Sequence, residues 1–189
     1  DLSPLRHPPH SLQHDGPAAR ALVGMRATKA RISSTRKAEA RLHDLIRGDL
    51  DYTLAHAAEP CYDIWEEEFA LHYYTVLLQY AALAFGSRWA VDRGEHDYGR
   101  CLWRASDELV TQLDAFWSAE QGMFRSRIFP SGDTSPKDPD FAILMGVLHA
   151  GLIDGPHSIR DGRMFYTLGG LGVLFSTTLG INGNRNNGF

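Results

Sequence analysis

Hydrophobic positions along this chain alternate between two kinds of helix. From Pro17 to Ile32 the sequence is Ala-rich, with Asp15 as a candidate N-cap and Pro17 in the first turn. Between about Thr35 and Ala58, residues Leu42, Leu45, Ile46, Leu50 and Leu54 fall on one stripe, the pattern of a half-exposed helix. From Ala70 to Phe85 the apolar residues (Leu71, Tyr73, Tyr74, Val76, Leu77, Leu78, Tyr80, Leu83, Phe85) surround the axis, so this helix must be buried. A stripe returns from His96 to Ala119 through Tyr98, Cys101, Leu102, Leu109, Leu113 and Phe116. The all-apolar run FAILMGVLHAGL starts at Phe141, and a Gly-rich sixth helix spans Met164 to Thr177. No strand or hairpin signal of comparable strength is visible.

Buried and half-exposed helices in alternation predict an all-α double layer, with a buried inner ring and a half-wet outer ring. A solenoid is the alternative, but the helix pairs share no sequence motif and are irregularly spaced. Length fits one domain. Three polar segments precede the three buried helices: QHDGPA at 13–18, YDIWEEE at 62–68 and GDTSPKDPD at 132–140. If the inner helices run parallel, these segments meet at one end of the ring. Loops on a rigid scaffold commonly carry binding and catalytic groups. That end then collects Asp15, Asp63, Trp65, Glu66, Glu67, Asp133, Lys137 and Asp138. Carboxylates beside an aromatic suit a sugar better than a phosphate or a nucleic acid.

Composition narrows the function classes. The 189 residues are 43% hydrophobic and carry a formal net charge of -4, so there is no basic face for nucleic acid. No apolar run reaches the roughly 18 residues of a membrane span, and no signal peptide opens the chain. Cys61 and Cys101 lack metal-like spacing and are expected as buried apolar side chains. The nine histidines show no pair with metal-ligand spacing, so neither metal nor cofactor is expected. Ser33–Ser34–Thr35 reads as a helix cap, LGGLGVL has no preceding strand for a dinucleotide loop, and Trp89, Trp103 and Trp117 are expected between layers.

Glu66, Glu67 and Glu68 have two readings. Taken alone, they are the acidic first turn of the helix that follows, worth about 0.3–1 kcal/mol each against the helix dipole. Three in a row behind Trp65 exceed that need, however, and they repel one another. Crowding and desolvation of one carboxyl, beside a neighbour kept ionised, is the arrangement that splits a pair for glycosidic cleavage.

At these residues the chain resembles the glucoamylase-type glycoside hydrolases of family 15, especially its bacterial members. The resemblance is carried, in order, by QHDGPAARA, by LIRGDLDYTLAHAAEPCYDIWEEEFALHYYTVLLQYAAL and by SGDTSPKDPDFAILMGVLHAG. It implies an (α/α)6 barrel, of which six helices are about half. It also implies exo-acting release of glucose from α-glucans or malto-oligosaccharides with inversion. Carried over by position, Glu66 is the general acid and Glu67 a sugar contact. Ile64 and Trp65 offer backbone contacts, Asp63 shapes the acid's surroundings, and Lys137 and Asp138 lie beside the leaving-group sugars. Glu68 keeps the dipole reading. The resemblance favours a secreted or periplasmic location.

The chain also departs from the family's pattern. The general base is expected beyond Phe189 and an Arg-Asp sugar clamp before Asp1. HPPHSL stands where a Trp-Gly-x-Pro run is usual, and Thr134 where fungal members have an arginine. Residues 1–189 are therefore expected to be one incomplete domain, inactive and poorly folded by itself, with Val76 and Leu77 left unpartnered. The competing reading is a non-catalytic α/α toroid that binds glycans or partner proteins. Within the enzyme class, glucodextranase- or trehalase-like specificity stays open. Oligomeric state is not legible.

Overall fold

Helical periodicity is realised as six helices, joined by five very short strands, in a computed structural model that describes residues 12–32 and 35–180. The helices are α1 (Asp15–Lys29), α2 (Arg36–Ala55), α3 (Tyr73–Val91), α4 (His96–Asp114), α5 (Ala142–Ala150) and α6 (Gly162–Leu179). Strands β1 (Cys61–Tyr62), β2 (Phe69–His72) and β5 (Arg127–Ile128) form one antiparallel sheet in the order β1-β2-β5. Strands β3 (Trp117–Ser118) and β4 (Met123–Phe124) pair as a separate hairpin.

Helices α1, α3 and α5 lie side by side as an inner layer, α3 in the middle, while α2 packs on α1 and α4 on α3 as the outer layer. Along α3, Val76, Leu77, Leu78, Ala81, Ala82 and Leu83 are completely buried. Each such leucine contributes about 1.5–3 kcal/mol through its removal from water. Close helix contact is bought with glycine at two places. A Cβ on Gly24 of α1 would stand 2.8 Å from Ile46 Cγ1, and one on Gly86 of α3 would stand 2.7 Å from Leu50 Cδ2.

Several expectations need correcting. Val76 and Leu77 are not left unpartnered; α1, α2, α4 and α5 surround α3 and share one core with it. Exposed apolar side chains are frequent on α5, α6 and the loop between them (Leu148, Ile153, Phe165, Tyr166, Leu168 and Val173), and others, such as Val23, Ile32 and Trp103, lie elsewhere. Helix α6 packs mainly on β4, where Thr167 Oγ1 accepts the Phe124 N–H at 3.0 Å. Strands were missed because elements of two to four residues are too short to display a period of two. The buried helix begins at Tyr73, not Ala70, because Phe69–His72 are drawn into pairing with β1 and β5. His14, not Asp15, is the residue before α1, and it makes no side-chain cap. Trp103 and Cys101 are exposed, whereas Trp89 and Cys61 are buried as expected. Of the Ser33–Thr35 cap, Ser33 and Ser34 fall outside the described residues. Thr35 does cap α2, its Oγ1 accepting from Ala38 N at 3.2 Å. The HPPHS part of the departing segment and residues 181–189 also lie outside the described residues. No helix among those described is long and apolar enough to cross a membrane.

Candidate active site

The three glutamates do not begin a helix. They lie in the six-residue connection between β1 and β2, whose register is set by Cys61 opposite Ala70 and Tyr62 opposite Phe69. Inside this connection the backbone closes on itself, with Glu66 N–H donating to Asp63 O at 2.9 Å and Asp63 N–H to Glu68 O at 3.2 Å. The Asp63 carboxylate completes the turn by accepting the Glu67 N–H at 2.8 Å, the local side-chain-to-backbone bond that makes Asp a turn former. Glu66 sits at the bend with φ +58° and its side chain exposed. A glutamate gains nothing intrinsic from the left-handed region; such strain persists only where the surroundings over-determine the backbone. Here the Asp63 carbonyl and carboxylate hold the N–H groups of Glu66 and Glu67, on either side of that residue's Cα.

Beneath the turn, one buried cation holds the acidic groups in place. Arg127, on β5, is 3% exposed. It donates to Asp63 Oδ2 at 3.4 Å, to Asp140 Oδ2 at 2.6 Å, to Ser126 Oγ at 3.0 Å and, in a short contact, to Glu68. Glu68 also accepts from Ser135 Oγ at 2.9 Å. The dipole reading of Glu68 is thus overturned: its carboxylate is the bridge between Arg127 and the 132–140 loop. His72 lies just behind. Burial lowers its pKa, and its Nε2–H is within reach of the Glu68 and Cys61 carbonyls at 3.0 and 3.2 Å.

The three polar segments do meet at one end. Gln13 Nε2 donates to the Asp63 carbonyl at 2.8 Å. Lys137 pairs with Glu67, and that hydrogen bond raises the lysine's pKa. Trp65, 48% exposed, donates its indole N–H to Asp140 Oδ2 at 3.0 Å. Ile64 packs partly buried against the core. Asp138 Oδ1 accepts the Ser126 N–H at 2.5 Å and the Ser126 hydroxyl at 2.6 Å. Asp133 hydrogen-bonds to Ser131 within its own exposed loop. Asp15 begins α1, where burial raises its pKa.

The result is a rigid acidic turn whose inner carboxylates are neutralised from below. Glu66 is the one glutamate of the three that is tied neither to Arg127 nor to Lys137. The model for glycosyl hydrolases family 15 matches residues 8–158, a span that includes this turn. The chain belongs to glycosyl hydrolase family 15.

Its curated relatives include a glucoamylase from Blastobotrys adeninivorans, 27% identical over 166 residues, covering 82% of this chain and 27% of that protein. Among solved structures, a glucoamylase from Saccharomycopsis fibuligera superposes with a TM-score of 0.75 at 21% identity, covering 94% of this chain and 40% of that one. The Hormoconis resinae glucoamylase gives 0.69 at 26% identity, over 87% and 28%. The chain spans under a third of the length of the curated relatives it matches. With these neighbours, the fold of this family 15 chain is part of an (α/α)6 barrel, as the family resemblance implied and in keeping with the double layer its periodicity predicted. These relatives are fungal, so the leaning toward bacterial members finds no support among them.

Sequence reasoning missed Arg127, Ser126, Ser135 and Asp140. Arg127 stands in the undistinguished stretch FRSRIF, and nothing local announces that β5 will carry it beneath a turn 59 residues earlier. Asp140 was the more accessible signal: an Asp directly before an apolar helical run invites a capping role, and its Oδ1 does accept the Ala142 N–H at 2.6 Å.

Proposed function

We propose that the full-length protein is an exo-acting α-glucosidase of the glucoamylase type, which hydrolyses terminal α-linked glucose with inversion. Glu66 is its general acid, and the general base comes from sequence outside this chain. The observation that carries this reading is Glu66 itself: exposed, presented at a strained bend, and fixed by Asp63 on a turn that a buried arginine braces. A general acid must reach the glycosidic oxygen without being locked into an ion pair of its own, and Glu66 meets that condition while Glu67 and Glu68 do not.

The remaining residues take supporting roles. Glu67 and Lys137, paired and half-exposed beside the acid, provide one acceptor and one donor for sugar hydroxyls. Ile64 and Trp65 contribute backbone groups on the other flank. Asp63 positions the acid, and Asp138 keeps the Lys137 loop in place through Ser126. The substrate is an α-glucan or malto-oligosaccharide, and residues 1–189 form one incomplete part of the catalytic domain.

Glu66→Gln in the full-length protein tests this directly. Turnover of maltose should drop by about 100-fold or more, while binding of the sugar, read by calorimetry, is retained. Near-wild-type turnover removes Glu66 from its role.

A further inference from the structure

Behind the acidic turn, three side chains that the hydrolysis does not use converge where α1 starts and α2 ends. His14 immediately precedes α1, His56 follows α2, and Glu59 lies in the next loop. One ligand atom from each lies within 4.8 Å of the others. His56 Nδ1 is 2.8 Å from Glu59 Oε2, and His14 Nε2 is 3.7 Å from the same oxygen. His14 is 1% exposed, yet its Nε2 has no hydrogen-bond partner. Buried polar atoms in native proteins are nearly always satisfied, so a nitrogen in this state points to a missing occupant. Its other nitrogen is accounted for: Nδ1 lies 3.0 Å from Tyr52 Oη. If Nδ1–H donates to that hydroxyl, the Nε2 lone pair faces His56 and Glu59. An imidazole fixed through its far nitrogen is the usual outer-shell support of a metal ligand.

We propose that His14, His56 and Glu59 form a binding site for a zinc-class divalent cation, which clips the start of α1 to the end of α2. Two imidazole nitrogens and one carboxylate oxygen are a tetrahedral zinc set, completed by water. Calcium and magnesium, which prefer all-oxygen shells, fit it poorly. The imidazole rings are stacked nearly parallel, 7° apart with centroids at 4.8 Å. Binding therefore needs one ring to tilt. His14 is held by burial, whereas His56 and Glu59 reach solvent and can turn toward the ion. Spacing rules pass over this set because its members come from two helix ends and a loop, not from one element.

The clip reaches the acidic turn through the backbone. Leu12 O accepts the Tyr62 N–H at 3.0 Å, and Gln13 donates to Asp63 O. An ion on His14 thus restrains the segment that supports the base of the β1–β2 turn. The proposal does not depend on the role given to Glu66.

The test is calorimetric titration of chelator-stripped full-length protein with Zn²⁺ near neutral pH, repeated on His56→Gln and Glu59→Gln. Both substitutions are at accessible positions, so folding should survive them. One Zn²⁺ per chain is expected at this site, with affinity about tenfold or more weaker in each variant. A rise in thermal midpoint with Zn²⁺ should appear in the wild type and be lost in both variants. Co²⁺ in place of Zn²⁺ should give tetrahedral visible bands that the variants abolish. Failure of the wild type to take up Zn²⁺, or equal affinity in wild type and both variants, overturns the assignment.

Discussion

Replacing Arg127 with Met keeps a long side chain beneath the acidic turn and removes the one charge that three carboxylates share. The side chains of Asp63 and Asp140 are 4% and 12% exposed, so neither can turn to water for compensation. Glu68, at 22%, recovers some hydration and retains Ser135. Removing one partner of a buried ion pair costs about 3–5 kcal/mol, chiefly because the other charge is stranded. Asp63 keeps the Glu67 N–H, and Asp140 keeps the Ala142 and Trp65 N–H groups, which offset part of that cost. The lower end, about 3 kcal/mol, is therefore expected. In a barrel of roughly 400 residues, about twice this chain, this lowers Tm by about 3–4 °C. Thermal unfolding of the full-length protein, followed by circular dichroism at neutral pH, measures it. Adding Glu68→Gln to Arg127→Met should restore about 1 kcal/mol, because one stranded charge disappears. A Tm loss below about 1 °C, or no coupling between the two sites, would refute the view that Arg127 organises this turn.

Two further outcomes follow from the same structure. Burial and the neighbouring Arg163 charge push the pKa of His157 down to about 4. Its ring stands between Tyr73 of α3, at 3.0 Å, and Asp114 of α4, at 3.1 Å, with Asp161 and Arg163 close by. An unfolded imidazole titrates near ~6.5. Between there and pH 4 the unfolded chain binds a proton that the native state refuses, so stability should fall as pH drops, by about 3 kcal/mol in all. Asp161 adds a later loss. Burial opposes its ionisation, but Arg163 and backbone N–H groups prevail and bring its pKa to about 2, so its contribution disappears only below the ordinary carboxylate range. His157→Asn, chosen because residue 157 has φ +58° and Asn tolerates that region, should flatten the upper window in pH-dependent urea unfolding; an unchanged slope counts against the assignment. Glu66→Asn should relieve backbone strain and raise stability by about 0.5–1 kcal/mol while removing activity. Lower stability in that variant would mean the bend is not strained.

The sequence by itself determined the layers. A helix apolar on every side, as Tyr73–Val91 is, can lie only between other elements, and one with a single stripe, as Arg36–Ala55 is, can lie only at a surface. Periodicity repeats along the chain, so these assignments needed no partner to be seen. The turn residues could be singled out from their order and their likeness to a family, and Gln13, Trp65, Glu67 and Lys137 do come together with Asp63. What the tertiary structure alone decided is which glutamate is tied and to what. Glu66, Glu67 and Glu68 are identical side chains on consecutive residues, and nothing local distinguishes them. They part because β2 pairs with β5, which carries Arg127 to Glu68, and because the 132–140 loop brings Lys137 to Glu67. The same holds for His14, His56 and Glu59, which meet because α1 and α2 pack side by side with the start of one beside the end of the other. Long-range pairing between segments leaves no mark in a window of sequence, because the partner that fixes each charge lies dozens of residues away.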